Sequence, residues 1–414
     1  MKSSSKYSWM VVSLLWVVAL LNYMDRQMLS TMRPAMQADI AELKMASNFG
    51  YLMSVFLWIY GLMSPVSGLI ADRINRKWLI VGSLFVWSAV TFFMGFASTF
   101  TQLYILRAIM GISEALYIPA ALSMIIDYHS DKTRSLAIGV HMTGLYVGQA
   151  LGGFGAMISS SYSWQTAFHM LGVVGVGYSL VLILFLKEKR ATQKNITIQA
   201  SELLRHQPVS VVRSIMALLS NFPFLLILLY FAVPSLPGWA IKNWVPTLFA
   251  ENLKIDMNLA GPLATIVTAA SSLLGVLLGG LLSDKWIEQN IRGRIYTSAI
   301  GIALTIPSLL LLGLAHSFVY VLSAAFCFGI GYGMFDANNM PILCQFVGSR
   351  YRATAYGLMN MVGVFSGALI TSFLGKSSDN GSLGADLAKL AFVVLGALCI
   401  QLLFLRPVKG KQLN

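Results

Sequence analysis

Long apolar segments alternate with short polar ones along almost the whole chain. An α-helix needs roughly 20 residues to cross about 30 Å of hydrocarbon, and most of the apolar segments reach that length. The pattern predicts twelve membrane-spanning helices, at about residues 9–36, 48–71, 78–97, 101–128, 134–158, 164–186, 216–250, 259–283, 295–314, 316–346, 352–375 and 385–405. The predicted fold class is therefore an all-α integral membrane protein.

A polar segment that begins at Lys187 divides these spans into two sets of six. The second span of each set is followed by a similar stretch, "GLIADRINRK" in the first set and "GLLSDKWIEQNIRGR" in the second. Their aspartates, Asp72 and Asp284, are 212 residues apart, as expected for an internal duplication. We predict two pseudo-symmetric six-helix bundles, the first at residues 1–186 and the second at residues 216–414. A cytoplasmic linker at residues 187–215 connects them.

Composition supports a membrane protein and indicates its orientation. Only 11% of the 414 residues are charged and the mean hydropathy is +0.72, whereas soluble globular proteins carry about 25% charged residues. Of the 29 Lys and Arg residues, 21 fall on the side of the two termini and five on the other side. The net charge of +13 therefore follows the positive-inside rule and does not indicate nucleic-acid binding. We expect a monomer in the inner membrane with both termini in the cytoplasm.

The sequence has no signature of an enzyme or a metal site. Neither a GxxxxGK[ST] phosphate-binding loop nor an HExxH zinc motif is present. The three cysteines, Cys327, Cys344 and Cys399, have no metal-binding or disulfide spacing. We expect no catalysis, no metal and no cofactor.

Charged residues inside the spans are the candidates for function. An unpaired charge in hydrocarbon costs about 2.5–3.5 kcal/mol, so Asp25, Arg26, Arg107 and Glu114 should face the bundle interior or a wet cavity. Asn22 and Arg26 are one helical turn apart on one face, whereas Asp25 is turned by about 100° from Arg26. We therefore expect Asp25 and Arg26 to contact different neighbours.

The stretch after the second span resembles a known signature. Residues 68–77 are similar to the G-x-x-x-D-R-x-G-R-[RK] motif of the major facilitator superfamily, with Asn75 in place of the usual glycine. We expect Asn75 to adopt the left-handed turn that glycine favours. The resemblance implies a twelve-helix transporter with a charged gate on its cytoplasmic face, although these charges could serve only to fix topology. The implied gate residues are Gly68, Asp72, Arg73, Arg76 and Asp284.

Three further stretches resemble the anion:cation symporter family, which includes hexuronate, galactonate and sialate permeases. They are "NYMDRQMLS" in span 1, "RAIMGISEA" in span 4 and "WVPTLF" in span 7, similar to that family's N-Y-x-D-R-x-x-L-S, R-x-x-x-G-x-x-E-A and W-x-P. The resemblance implies that Arg26 binds the substrate carboxylate, that Asp25 and Glu114 carry coupling protons, and that Arg107 is a charge partner of Glu114. The alternative is a purely structural network between helices 1 and 4.

Other polar residues at mid-span could supply donors and acceptors for sugar hydroxyl groups, although each could instead pack between helices. We assign four of them to substrate binding: Tyr60, Tyr146, Gln149 and Asn360. An isolated histidine, His141, is expected to be a packing residue.

Span 7 contains Pro234, Pro237 and Gly238, which predict either a break at the depth of a binding site or simple curvature. Lys242 follows in the same span, and Asp336 stands in "GMFDANNMP" of span 10. These two residues either pair with each other or bind separate polar groups of the substrate. We favour substrate binding, because asparagines with hydrogen-bonding capacity lie beside them. Those assigned to the substrate are Asn338 and Asn339.

Taken together, these features predict a secondary active transporter. It would bring an organic anion, such as a sugar acid, a uronate or a uronate-containing small saccharide, inward with protons by alternating access. The alternative within transport is an exchanger or exporter of phosphorylated sugars or lipid-like anions. A membrane sensor of the same fold would need an output domain, which tails of about 8 residues do not provide.

Overall fold

The computed structural model describes residues 5–188, 211–348 and 351–407, and these are helical without a β-strand. The helices are α1 (Ser5–Asp39), α2 (Ala46–Arg73), α3 (Arg76–Met94), α4 (Phe100–Ala115), α5 (Tyr117–Tyr128), α6 (Asp131–Gly152), α7 (Gly155–Ser161), α8 (Trp164–Phe185), α9 (Val211–Leu219), α10 (Phe222–Leu253), α11 (Met257–Ile287), α12 (Gly293–Leu314), α13 (Phe318–Phe346), α14 (Arg352–Asp379) and α15 (Leu383–Phe404). A short 3-10 helix, Ala41–Lys44, connects α1 to α2. Most of the predicted linker lies outside the described residues.

Within the described ranges, eleven helical segments are long and apolar enough to cross a membrane. The predicted span that is missing from this set is 134–158, where α6 is also a helix of 22 residues but is less apolar. Its polar side chains include His141 and Gln149, both buried, and its N-terminal turn carries Lys132 and Arg134. The polarity of α6 thus comes from its interior face and its charged end, and the all-α membrane fold is confirmed.

The predicted span at 101–128 is divided into two helices, α4 and α5, at Leu116. Pro119 has no N–H to donate to the carbonyl of Ala115, and the turn tightens so that the N–H of Leu116 bonds the carbonyl of Ser113 at 3.2 Å. The regular helix of the fourth predicted span is therefore interrupted at Leu116, two residues after Glu114.

The predicted break in span 7 is wrong. Helix α10 runs without interruption from Phe222 to Leu253, with Pro234, Pro237 and Pro246 inside it. Each proline removes one hydrogen bond of the helix, but the freed carbonyls can be satisfied by other groups, as is common in membrane helices. The curvature alternative therefore describes this segment better than a discontinuous helix.

Close helix crossings set the positions of the candidate residues on α1. Three glycines of α6, Gly144, Gly148 and Gly152, are four residues apart and lie against the backbone or side chains of α1. A Cβ atom at Gly148 would come within 2.2 Å of the carbonyl oxygen of Leu20. These glycines allow α6 to pack closely against α1 near Asp25 and Arg26. The two bundles meet mainly where α2 packs along α14 and α6 packs on α11.

Candidate functional site

Arg26 and Glu114 form a buried ion pair between α1 and α4. The Nε of Arg26 donates to Oε2 of Glu114 at 2.5 Å, and the side-chain amide of Asn22 donates to the same oxygen at 2.8 Å. The predicted shared face of Asn22 and Arg26 is therefore present in the structure. The other carboxylate oxygen of Glu114, Oε1, is buried without a hydrogen-bond partner among the described residues.

The guanidinium of Arg26 lies among three aromatic rings. Its Cζ is 4.6 Å from the ring centre of Phe56, 4.8 Å from that of Tyr60 and 5.1 Å from that of Tyr23. Such cation–π contacts stabilise a cation that has lost its water. Its Nη2 is buried and has no hydrogen-bond partner in the described part of the chain. Arg26 therefore retains a donor that an anion could use.

Asp25 points to a different helix from Arg26, as the helical geometry predicts. Its Oδ2 accepts a hydrogen bond of 2.5 Å from the hydroxyl of Thr91 on α3, while its Oδ1 has no partner among the residues described. Asp25 makes no ion pair within 4.0 Å in the described ranges. It is 4% exposed, so its carboxylate is held inside the bundle by one hydroxyl group.

Arg107 is close to this group but is not ion-paired with Glu114 at 4.0 Å in the described structure. Its Nη1 contacts the sulfur of Met110 at 3.2 Å, and its Cζ is 4.6 Å from the ring centre of Phe56. Phe56 thus contacts two guanidinium groups, those of Arg26 and Arg107. Arg107 acts on Glu114 only through space.

The second bundle contributes a caged lysine. The Nζ of Lys242 lies 5.0 Å from the ring centre of Trp239, 5.6 Å from that of Tyr332 and 6.0 Å from that of Tyr23. No carboxylate lies within 4.0 Å of it among the described residues. The Lys242–Asp336 salt bridge that one of our two interpretations required is therefore not formed in this structure.

Asp336 faces a space between the two bundles. Its side chain is exposed, yet Tyr23 of α1, Tyr146 of α6 and Lys242 of α10 are all close enough to interact with its charge. Because groups from both bundles surround it, the exposed surface of Asp336 faces the protein interior and not lipid. Arg26 and Lys242 both lie near the ring of Tyr23, so they are next to the same space.

The remaining predicted site residues occupy different positions. The amide of Asn339 donates to Oδ1 of Asp336 at 3.2 Å, whereas Asn338 is fully buried and donates to the carbonyl of Met334 in its own helix. Asn360 donates to the hydroxyl of Ser64 on α2, so it joins the two bundles. Gln149 makes no hydrogen bond to another described residue.

Sequence reasoning missed the aromatic side chains of the site. Tyr23 lies within the stretch "NYMDRQMLS" of α1, and Tyr332 precedes Asp336 by four residues on α13. Both could have been found from their helical spacing to the charged residues. Phe56 gave no signal, because an apolar residue four positions before Tyr60 is typical of any membrane helix. His141 is buried against the ring of Tyr117, with ring centres 6.0 Å apart.

The bundles meet closely at the face where α1 ends. This face lies across the membrane from the two termini, and we call it the opposite face. There the carboxylate of Asp379 accepts hydrogen bonds from the backbone N–H groups of Ala46 and Ser47, at 2.5 and 2.9 Å. Deeper in the interface, the amide of Gln27 donates to the carbonyl of Lys242 at 2.9 Å. Pro246 lacks the N–H that would otherwise bond this carbonyl within α10.

A sequence model of the Major Facilitator Superfamily matches residues 15–371. The chain belongs to this superfamily. The facilitator is 24% identical over 426 residues to the hexuronate transporter of Bacillus subtilis (strain 168), which covers 97% of this chain and 95% of that protein. It is 27% identical over 301 residues to the D-galactonate transporter of Escherichia coli O6:H1, with 68% of each chain covered.

A solved structure shares the fold of this facilitator. It is described as a bacterial homolog to the human lysosomal transporter Spinster in an inward-facing and occupied conformation. The TM-score is 0.79 at 20% identity, with 99% of each chain covered. The match confirms the predicted facilitator fold.

In this facilitator the signature motif differs in detail from our expectation. Asn75 has φ −56° and accepts a hydrogen bond from the N–H of Trp78, so it caps α3 and the predicted left-handed turn is wrong. Arg76 pairs with Asp127 on α5, and Asp284 lies 3.8 Å from Arg294 within the second bundle. A Cβ atom at Gly68 would meet nothing within 4 Å. The side chains of Asp72 and Arg73 lie outside the described part of the structure.

Proposed function

We propose that this facilitator is a secondary active transporter that moves an organic anion, a sugar acid or a uronate-containing small saccharide, together with protons by alternating access. The observation that carries the proposal is Nη2 of Arg26, a buried guanidinium donor that has no hydrogen-bond partner among the described residues. The substrate class is supported by two relatives that are named for hexuronate and D-galactonate.

The substrate carboxylate would compete with Glu114 for Arg26. A guanidinium can hold a carboxylate through two parallel N–H donors, and Arg26 currently uses only Nε for Glu114. A carboxylate that binds Arg26 in this way would draw it from Glu114. The aromatic rings around Arg26 exclude water and strengthen this interaction.

Proton uptake follows from the loss of that ion pair. If Arg26 turns to the substrate, Glu114 becomes a buried carboxylate without its cation, which costs several kcal/mol unless it binds a proton. The carboxylate of Asp25, which has one hydroxyl partner and no ion pair within 4.0 Å in the described ranges, is the second proton site that we propose. Arg107 would adjust both carboxylates through space.

The pattern of contacts supports an orientation for this cycle. The bonds from Asp379 and Gln27 hold the bundles together toward the opposite face, so release of these bonds would open that face. We propose a monomer in the inner membrane with both termini cytoplasmic, in agreement with the positive-inside rule. The structure then corresponds to a state closed on the outer side.

The central test is uptake into proteoliposomes. The purified protein is supplied with an inward proton gradient and a panel of sugar acids, neutral sugars and sugar phosphates. We expect accumulation of a sugar acid that collapses when the gradient is removed by an uncoupler. Uptake of sugar phosphates alone, or exchange that ignores the gradient, would contradict the proposal and favour an exchanger.

Asp379→Asn is expected to favour opening of the opposite face. The amide has one acceptor oxygen where the carboxylate has two, so one of the bonds to Ala46 or Ser47 is lost. A hydrogen bond to a charged group contributes about 1.5–3 kcal/mol, which corresponds to a shift of roughly ten- to 150-fold in the equilibrium. The measurement is labelling of Ser54→Cys, a buried position on α2, by an impermeant maleimide in a background without the native cysteines.

Asp256→Asn is the matched control for this experiment. Asp256 also accepts from a helix N-terminus, the N–H of Asn258 at 2.7 Å, but within a single bundle. Its replacement should leave the labelling of Ser54→Cys unchanged. Equal labelling in the parent protein and Asp379→Asn would show that Asp379 does not hold the two bundles together.

A further inference from the structure

We propose that Lys242 and Asp336 form the second pole of the binding site and select an uncharged, hydroxyl-bearing end of the transported anion. This inference rests on the proposed transport function, with the carboxylate of the substrate at Arg26. It names the chemical class that the second bundle recognises, a polyhydroxy monocarboxylate. It also predicts which close relatives of that class are rejected.

The two residues are held apart by the packing of Tyr332. Its side chain lies on α10 at Gly238, where a Cβ atom would come within 2.3–2.5 Å of two ring carbons and the hydroxyl oxygen of Tyr332. Gly238 precedes Lys242 by one helical turn, and Tyr332 precedes Asp336 by one turn. The ring of Tyr332 therefore lies near the start of the side chains of Lys242 and Asp336. Its centre is 5.6 Å from the ammonium group of Lys242.

Asp336 is fixed on its own side by a chain of hydrogen bonds. The hydroxyl of Ser298 bonds that of Tyr230 at 2.8 Å, Tyr230 donates to Oδ1 of Asn339 at 3.2 Å, and the amide of Asn339 donates to Asp336 at 3.2 Å. This chain uses one oxygen of the carboxylate and leaves the other available. A structural ion pair would require none of these groups, whereas a positioned acceptor requires all of them.

The separation of the two poles fits a short carbon chain. The charges of Arg26 and Lys242 lie 5.1 and 6.0 Å from the same ring centre, that of Tyr23, so they are at most about 11 Å apart. Hydrogen bonds of about 2.7–3.2 Å at each end leave about 5 Å for the substrate. With C–C bonds of about 1.5 Å an extended chain advances about 1.25 Å per bond, so at most about 5 Å between the two end oxygens holds about three carbon atoms, and a six-carbon acid has to bind in a bent conformation.

The charges at the second pole favour a hydroxyl group over a charged group. A hydroxyl has one donor and two lone pairs, so it can donate to Asp336 and accept from Lys242 at the same time. A second carboxylate would be attracted to Lys242 but repelled by Asp336, and an ammonium group would meet the reverse. Like-charge contacts between a ligand and its binding site are unfavourable, so both charged ends should be rejected.

The test compares anions that differ only at the far end. D-Gluconate and D-galactonate end in a hydroxymethyl group, their aldarates end in a carboxylate, and the 6-amino-6-deoxy analogues end in an amine. Binding to the purified full-length protein is measured by ligand-induced thermal stabilisation, which needs no transport. We expect one of the two aldonates to bind at least about tenfold more tightly than its aldarate and its amino analogue, a difference of about 1.4 kcal/mol.

Two variants should change this order in opposite directions. In Asp336→Asn the aldarate should gain about tenfold relative to the aldonate, and in Lys242→Met the amino analogue should gain by a similar factor. The double variant should bind the aldonate no better than either single variant. The controls are Lys389→Met and Glu288→Gln, which remove exposed charges at the ends of α15 and α11.

The outcomes separate this inference from the proposed function. A wild-type protein that binds an aldarate as well as its aldonate overturns the inference, whether or not the variants fold. Unchanged ratios in both variants overturn it as well. If no sugar acid binds or is taken up, the proposed function itself fails. If the single variants are unstable and the double variant is restored in folding and binding, Lys242 and Asp336 are a structural pair.

Discussion

Replacing Arg26 by lysine is expected to lower kcat/KM for uptake of the anion by at least about a hundredfold. A lysine ammonium is a single point charge that cannot present two parallel donors to a carboxylate, and it cannot reproduce the Nε contact to Glu114. Hydrogen bonds to charged groups contribute about 1.5–3 kcal/mol each, and 1.4 kcal/mol is a tenfold change. Initial rates in proteoliposomes, normalised to inserted protein, measure the effect.

The folded amount of Arg26→Lys should remain close to that of the parent protein, because the cation opposite Glu114 is kept. Arg406→Lys is a suitable control, since Arg406 is exposed beyond the end of α15 and, among the described residues, donates only to the carbonyl of Leu403. Near-normal uptake by Arg26→Lys would rule out a bidentate carboxylate contact at Arg26. A loss of folded protein that matches the loss of uptake would instead support a structural network between α1 and α4.

Glu114→Gln is expected to abolish accumulation against a gradient and to leave exchange of labelled for unlabelled substrate largely intact. Glutamine has nearly the same shape, and its amide oxygen can still accept from Arg26 and Asn22, so the local packing is kept. It cannot bind and release a proton, however, and net symport requires that step while exchange does not. Counterflow and proton-driven uptake are measured on the same vesicles.

Glu288→Gln is the control, because it removes an exposed carboxylate by the same substitution. It should change neither counterflow exchange nor proton-driven uptake. If Glu114→Gln loses exchange and uphill uptake to the same degree, Glu114 has a role in binding or structure and does not carry the coupling proton. Asp25→Asn provides an independent comparison, since Asp25 contacts Thr91 and not Arg26.

The sequence alone could locate the charged residues and the faces on which they lie. Helical periodicity placed Asn22 and Arg26 together and turned Asp25 away, and the structure shows this arrangement. Periodicity could not identify Phe56 as the ring between Arg26 and Arg107, because contacts between helices depend on how the helices cross. It also left open whether Lys242 and Asp336 pair, since their separation depends on Tyr332 and Gly238.

Two local rules failed because the surroundings supplied an alternative. Asn75 tolerates a left-handed conformation, but at the start of α3 its side chain accepts a hydrogen bond from the N–H of Trp78 and thereby stabilises a backbone conformation with φ −56° and ψ 116°. The prolines of α10 predicted a break because they remove hydrogen bonds from the helix. A freed carbonyl can accept from a neighbouring helix, as the carbonyl of Lys242 accepts from Gln27, so the helix continues.

That carbonyl has a consequence for motion. Because Pro246 has no N–H, the carbonyl of Lys242 remains outside the internal bonding of α10 for as long as the helix exists. When the bundles part, the amide of Gln27 can be replaced by water and no turn of α10 has to unwind. If the ammonium of Lys242 binds the substrate, as we propose, a ligand that moves this side chain also acts on the hydrogen bond between Gln27 and the carbonyl of Lys242. On this proposal, one residue would couple substrate binding to the opening of the bundles.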